Sequence, residues 1–235
     1  MTEPRGPAVS GRRLLAALGG WLVCAGALYG VVVLIARVLA RPYYRAHAND
    51  FSALLVLVAY LMLFAALWLA FGGWRALRDQ LGFHYTSWVH LLAAPGLWLL
   101  TVVVGALLSV PFMRWLGPAK GNAEALVRSV HDPFASAVLI GTVIVVAPIC
   151  EELVFRGGIF GWLRGHVNVG LAAGVSAALF AGAHLLPSGF VLLFVFGLSA
   201  ALFYYWTGST LNTFVLHACQ NTAAVIAVYS GLAGR

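Results

Sequence analysis

Residues Phe134 to Leu163 read FASAVLIGTVIVVAPICEELVFRGGIFGWL, an apolar run that contains two adjacent acids, Glu151 and Glu152. The run is longer than the roughly 20 apolar residues that a membrane-spanning helix needs. A charged side chain at membrane depth costs about 2.5 to 3.5 kcal/mol even on lenient insertion scales. Two adjacent carboxylates in a span therefore indicate a charge-neutralising partner and a functional site. The other acidic residues fall in predicted tails or connecting loops.

The whole chain has the composition of a polytopic membrane protein. Of its 235 residues, 62% are hydrophobic and 9% are charged, whereas soluble domains contain about 25% charged residues. The composition and the apolar runs predict an all-α helical bundle of about seven transmembrane helices. They do not exclude an eighth helix. The seven predicted spans are Leu14 to Ala36, Phe51 to Phe71, Trp88 to Val110, Phe134 to Leu163, Val169 to His184, Phe190 to Trp206 and Thr210 to Tyr229.

The charge pattern indicates contact with lipid and gives no sign of nucleic acid. The net charge of +7 comes from basic residues that flank the spans, where anionic head groups attract them. No clustered basic face with interleaved aromatic residues is present in the sequence. We therefore expect the lipid bilayer as a partner and no nucleic acid. The basic residues divide almost evenly between the two predicted sides, so the orientation stays open.

Polar residues follow the acid pair in the later spans, and their spacing is informative. They are Arg156, His184, His217 and Asn221. Glu152 and Arg156 are four residues apart, so on a helix they share a face and can form a neutralising pair. Glu151 is rotated by about 100° and points elsewhere. This spacing predicts one bound carboxylate and one available carboxylate.

The same residues are predicted to lie at compatible depths. Glu151 and His184 lie about 15 and 17 residues from the turn at Gly165 to Asn168, which corresponds to roughly 20 to 26 Å of helix. His217 and Asn221 share a face and lie roughly 12 to 18 Å into the last span. Taken singly, a histidine or asparagine in a membrane is often only an interhelical hydrogen-bonding residue. Taken together, they indicate a buried site.

Three strings in this region resemble the CPBP intramembrane protease family, which includes the type II CAAX prenyl endopeptidases and bacteriocin-processing and immunity proteins. The strings are EELVFR from Glu151, FAGAH from Phe180 and HACQN from His217. They match that family's EExxxR, FxxxH and HxxxN patterns in the same order on separate helices. The resemblance covers Phe134 to Tyr229. We therefore divide the chain into residues 1–132, spans without a signature, and residues 133–230, a catalytic helical core.

The resemblance implies a role for each site residue. Glu151 would activate water together with His184, while His217 and Asn221 would hold and polarise the scissile carbonyl. Glu152 and Arg156 would be the supporting pair. The family is described as metalloproteases, and Glu151, His184 and His217 would then be three ligands of a catalytic zinc ion. The sequence has no HExxH motif, and a mechanism with carboxylate and imidazole groups alone stays open.

The expected function is that of an intramembrane endopeptidase, a hydrolase that cleaves a membrane-associated peptide or protein. Whether the substrate is prenylated is left open. Two alternatives belong to other classes: a proton-coupled transporter, because proton relays also use intramembrane carboxylates and histidines, and a non-catalytic immunity or scaffold protein. The expected location is the plasma (inner) membrane of a bacterium, as a multi-pass protein.

Overall fold

The fold is entirely helical over the residues that the structure, a computed structural model, describes, which are 9–39, 41–117, 127 and 130–230. This confirms the predicted all-α helical bundle. Within these residues we number the helices α1 to α8. They are α1 Gly11–Leu39, α2 Arg41–Phe71, α3 Trp74–Gln80, α4 Trp88–Leu116, α5 Pro133–Leu163, α6 Val169–Ala183, α7 Phe190–Thr207 and α8 Thr210–Tyr229.

Six of these helices are long and apolar enough to cross a membrane, so the protein is a multi-pass integral membrane protein. The predicted fifth span is the exception. It corresponds to α6, which has 15 residues and is therefore about 22 Å long, shorter than the roughly 30 Å hydrocarbon core. The helix stops at His184 because Leu185 takes a left-handed conformation (φ 53°) and Pro187 begins a separate 3₁₀ turn.

Two predicted loops are partly helical. The stretch from Gly72 to Ser87 contains the short helix α3, and α4 continues past the predicted end at Val110 to Leu116. The apolar residues Phe112 and Met113 support this extension. Much of the predicted loop between α4 and α5 lies outside the described residues.

Helix α5, which carries the acid pair, lies at the centre of the bundle. It contacts α1, α2, α6, α7 and α8. Helices α1 to α3 form one apolar core against it, around Leu67, Leu77 and Leu153. Helices α4, α6, α7 and α8 form a second core around Phe180. Phe155 of α5 packs against both cores, so α5 joins the two groups of helices.

Helix α5 is irregular on both sides of the acid pair. Two of its segments, Thr142–Val146 and Leu153–Phe160, are π-helical. Pro148 lies between them and has no backbone N–H, so it cannot bond the carbonyl four residues earlier. Single π-helical turns inside α-helices are rare and are frequent at functional sites. The irregular backbone therefore flanks the acid pair, where the sequence predicts the chemistry.

Side chains from two neighbouring helices bond backbone carbonyls in the π-helical segments. The amide of Asn221 in α8 donates from Nδ2 to the carbonyl oxygen of Val143 at 2.7 Å. The hydroxyl of Ser176 in α6 donates to the carbonyl oxygen of Phe155 at 2.9 Å. Because buried carbonyls need hydrogen-bond partners, these two contacts stabilise the π-helical geometry and fix α6 and α8 against α5.

Close packing beside the site depends on Gly157. A Cβ atom added there would lie 2.5 Å from the carbonyl oxygen of Leu81, which is backbone and cannot rotate away. The chain at Leu81 is itself tied to α3 by a hydrogen bond from its N–H to the carbonyl of Leu77 at 3.2 Å. Any side chain at position 157 therefore pushes α5 away from the segment that follows α3.

We expect Gly157→Ala to lower the free energy of unfolding by about 1 to 3 kcal/mol, the usual cost of overpacking. Thermal unfolding of the purified protein in detergent measures this. Gly174→Ala in α6 is the matched control, because no atom lies within 4 Å of its added Cβ. Equal melting temperatures for the two variants would contradict the close packing of α5 on Leu81.

Candidate active site

The centre of the site is a buried cluster of charged groups that joins α5 to α8. Glu152 is 0% exposed and Arg156 is 1% exposed, and Arg156 Nη1 donates to Glu152 Oε1 at 2.8 Å. The same oxygen lies 2.7 Å from Nδ1 of His217. The predicted ion pair between Glu152 and Arg156 is confirmed. The structure adds His217 to it, so Glu152 holds both a guanidinium and an imidazole.

Aromatic rings complete the surroundings of Arg156. Its guanidinium carbon lies 4.4 Å from the ring centroid of Phe180 and 5.7 Å from that of Phe196, within the range of cation–π attraction. The ring of Phe180 also lies against His184, with centroids 4.6 Å apart, and its centroid is 5.7 Å from that of His217. Phe180 therefore supports both histidines and the guanidinium. Its position in FAGAH was the sequence signal for this role.

Glu151 is held differently from its neighbour. Its side chain is 16% exposed, and one oxygen, Oε1, accepts a hydrogen bond of 2.6 Å from the hydroxyl of Tyr60 in α2. The other oxygen, Oε2, lies 3.8 Å from Nε2 of His217, which is too long for a direct hydrogen bond. The prediction of one bound and one available carboxylate is therefore confirmed in the structure, with Glu151 as the available one.

Glu151 lines a cavity of about 570 Å³ together with Tyr60 and His184. The remaining wall is apolar and comes mainly from α1, α2 and α5. It includes Leu18, Trp21, Val56, Leu63 and Val154. The cavity is thus a mostly apolar chamber with its polar groups gathered around one carboxylate, an arrangement typical of sites that bind apolar ligands and orient them with a few polar groups.

His184 reaches this cavity from the end of α6. Its Nδ1 lies 2.8 Å from the carbonyl oxygen of Phe180, one turn earlier. A carbonyl only accepts, so Nδ1 donates this hydrogen bond and Nε2 is the nitrogen left for other contacts. Glu151 and His184 line the same cavity, and direct contact between them stays a prediction.

Asn221 is placed by its hydrogen bond to the carbonyl of Val143, described above. That contact uses one of the two N–H groups of its amide. The side chain of Asn221 in α8 therefore lies against the π-helical part of α5 that precedes the acid pair. It lies one helical turn from His217 on α8, as the four-residue spacing predicts.

The predicted zinc ligands do not form a three-ligand site. Among the described residues, no group of three or more His, Cys, Asp or Glu side chains is arranged to hold a metal ion. Oε2 of Glu151 and Nε2 of His217 lie 3.8 Å apart, but His184 is not grouped with them. The described residues thus show no preformed three-ligand group for a catalytic zinc ion. Zinc stays a prediction, and no step below passes through a metal.

The residue that sequence reasoning missed is Tyr60. A tyrosine within an apolar span gives no distinctive signal, because its ring suits an apolar environment as well as any other aromatic side chain. The sequence accordingly predicts no site residues in the spans of residues 1–132. The hydrogen bond from Tyr60 to Glu151 shows that these spans contribute to the site.

Loss of the buried cation should be costly. We expect Arg156→Ala to lower the free energy of unfolding by about 3 to 5 kcal/mol, because Glu152 would stay buried with its charge unpaired. The control is Arg78→Ala, which breaks an exposed pair with Asp79 at 3.1 Å and should cost less than about 1 kcal/mol. Unfolding in detergent with increasing denaturant measures both. A loss for Arg156→Ala no larger than that of the control would contradict the supporting role of the pair.

Comparisons with known proteins bear on the same segment. The family model described as type II CAAX prenyl endopeptidase Rce1-like matches residues 133–223, which contain all three motifs. A search of the curated proteins and a search of the solved structures gave no match. The matched segment includes Glu151, Glu152, Arg156, His184, His217 and Asn221. This match supports the resemblance that the motifs carry, and residues 133–223 of this chain are similar to the type II CAAX prenyl endopeptidase Rce1-like family.

Proposed function

We propose that this protein is an intramembrane endopeptidase in which Glu151 is the general base. The observation that carries the proposal is the unequal environment of two adjacent carboxylates. Glu152 is 0% exposed and bonded to a cation, whereas Glu151 is 16% exposed and opens into the cavity. A base has to reach the proton it removes. Of the two acids, Glu151 meets that condition.

The cavity fits an apolar segment of a membrane-associated peptide or protein. Its wall beyond Glu151, Tyr60 and His184 is mostly apolar, so an apolar side chain or lipid group loses no hydrogen bonds on entry. A peptide bond placed beside Glu151 would have its flanking apolar groups in contact with α1 and α2. The family description reads type II CAAX prenyl endopeptidase, and the cavity would accept an isoprenoid chain or apolar side chains alike.

Charge balance supports a donor role for His217. Two carboxylates, Glu151 and Glu152, face one guanidinium, that of Arg156, and buried charges have to be compensated. A proton on Nε2 of His217 would neutralise the cluster. Glu152 would stabilise that imidazolium through Nδ1, at 2.7 Å. Nε2–H would then point towards the side of the cluster on which Glu151 lies, where a substrate carbonyl needs a donor.

The reaction follows from these roles. Glu151 takes a proton from a water molecule as the water oxygen forms a bond to the scissile carbonyl carbon. The oxyanion that develops accepts a hydrogen bond from Nε2–H of His217, and the free N–H of Asn221 is the second candidate donor. The C–N bond then breaks, and the leaving nitrogen receives the proton that Glu151 had taken. His184, with its free Nε2, orients the water on the cavity side.

We expect Glu151→Gln to abolish cleavage while the protein remains folded, because glutamine keeps the shape of the side chain but cannot take the proton. Peptide termini are compared by mass spectrometry between membranes that contain the wild type and membranes that contain the variant at equal abundance. New termini seen only with the wild type identify both the activity and the substrate. Asp79→Asn, which changes an exposed carboxylate, is the control and should cleave normally.

Other results for Glu151→Gln, from peptide termini, from flux measurements and from phenotype, would point to different conclusions. Full cleavage of a verified substrate by Glu151→Gln would overturn the general-base role. Solute or proton flux that needs Glu151, with no change in termini, would favour the transporter alternative. A phenotype that persists in Glu151→Gln and disappears only when the protein is lost would favour the scaffold alternative.

The role of Asn221 has its own test. As an oxyanion donor, Asn221→Ala should lower kcat by about 10² to 10³-fold, with a small effect on the melting temperature. If the amide serves only the Val143 carbonyl, 2.7 Å away, kcat should change less than about threefold at a temperature where the variant is folded. The kinetic assay and thermal unfolding are run on the same preparation, and Ser176→Ala, which removes the equivalent contact to Phe155, is the control.

A further inference from the structure

The contact between Tyr60 and Glu151 crosses the boundary of the family match. Tyr60 belongs to α2, outside residues 133–223, and its hydroxyl donates to Glu151 Oε1 at 2.6 Å. Such a distance is typical of a charge-assisted O–H···O⁻ hydrogen bond, which is about twice as strong as a neutral one. The phenolic hydroxyl is thus a specific partner of the available carboxylate.

Hydrogen bonds from α1 and from α5 hold the backbone of α2 at Tyr60. The indole Nε1 of Trp21 in α1 donates to the carbonyl oxygen of Ala59 at 2.8 Å. The thiol of Cys150 in α5 lies 3.4 Å from the carbonyl oxygen of Tyr60 itself. The first contact ties α2 to α1, and the second ties it to the residue that precedes Glu151. Both partners of the hydrogen bond are therefore held at fixed positions in the bundle.

The polar surroundings of Glu151 leave its two oxygens in different roles. From α2 it meets Tyr60, from α8 His217 at 3.8 Å, and from α6 His184 across the cavity. On its own helix the nearby charges are Glu152 and Arg156. The residues of α1 that line the cavity are Leu18, Trp21 and Leu22, none of which is charged. Tyr60 thus donates the hydrogen bond that Oε1 accepts.

We propose that Tyr60 is a positioning residue for the reaction, and this inference rests on the proposed function of Glu151 as the base. By occupying Oε1, the hydroxyl prevents rotation of the carboxylate and directs Oε2 towards Nε2 of His217 and the reacting water. A carboxylate that is held in one orientation loses less entropy when the transition state forms. The α1–α2 hairpin, which lies outside the family match, therefore supplies part of the catalytic geometry.

The test compares Tyr60→Phe with Tyr29→Phe. Tyr29 lies on α1, lines a separate groove between α1 and α2, and is 59% exposed. Its variant therefore controls for loss of a hydroxyl on the same pair of helices. For Tyr60→Phe we expect kcat to fall about 10- to 100-fold, the fold-change that corresponds to a hydrogen bond to a charged group. KM should change less than about twofold, because the hydroxyl does not contact the substrate. Tyr29→Phe should match the wild type.

A spectroscopic readout separates positioning from a general structural effect. The infrared difference between the wild type and Glu151→Gln isolates the carboxylate stretching band of Glu151. In Tyr60→Phe we expect that band to shift, because Oε1 loses its donor. An unshifted band together with an unchanged kcat would overturn the proposal. A lower kcat with an unshifted band would also overturn it, since the effect would then not pass through Glu151.

A double-mutant cycle tests the contact between Tyr60 and Glu151 without a substrate. Melting temperatures are measured for the wild type, Tyr60→Phe, Glu151→Ala and the double variant, because a glutamine at position 151 would still accept a hydrogen bond from the hydroxyl. If the hydroxyl and the carboxylate interact, the double variant should lose less stability than the sum of the two single losses. Additive losses would overturn the contact even if cleavage is found. Coupling without any cleavage would instead leave the contact standing and count against the proposed endopeptidase.

Discussion

The rest of the structure depends on the buried contact of Glu152 with Arg156 and His217. An isolated charge at this depth would be expensive, and the cost is offset because one carboxylate oxygen lies 2.8 Å from the guanidinium and 2.7 Å from the imidazole. The contact joins α5 to α8, fixes the ring of His217, and places its second nitrogen on the side of Glu151. It also places Arg156 over the ring of Phe180, which brings α6 into the same cluster.

Departures from regular helix geometry place the other site groups. Helix α6 has 15 residues, and this shortness puts His184 at the cavity instead of at the far end of a full span. The π-helical segments of α5 leave carbonyls that Asn221 and Ser176 bond from neighbouring helices. Each π-helical segment is thus matched by a polar side chain from another helix, and each match fixes a helix that carries a site residue.

The cavity is lined by residues of α1, α2, α5 and the end of α6, although the family match begins only at residue 133 and leaves α1 and α2 out. Helices α1 and α2 supply its apolar wall, and α2 supplies Tyr60. The division into residues 1–132 and 133–230 stays a prediction about signatures in the sequence. It does not divide the site, because Glu151 has contacts from both groups. The surroundings of this arrangement are the bilayer and apolar side chains. Because polarity around Glu151 is low, each of its few hydrogen bonds is electrostatically stronger than it would be in water.

By itself the sequence determined the fold class, the approximate spans, the pairing of Glu152 with Arg156, and the availability of Glu151. These follow from composition and from helical periodicity, which act over a few residues. Only the tertiary structure decided which groups share the cavity, that His217 lies between the two glutamates, that α6 stops short, and that Tyr60 bonds Glu151, 91 positions away along the chain. The physical reason is that such contacts depend on how helices pack and where their backbones bend, and a tyrosine within an apolar span looks the same in sequence whether it faces lipid or a carboxylate.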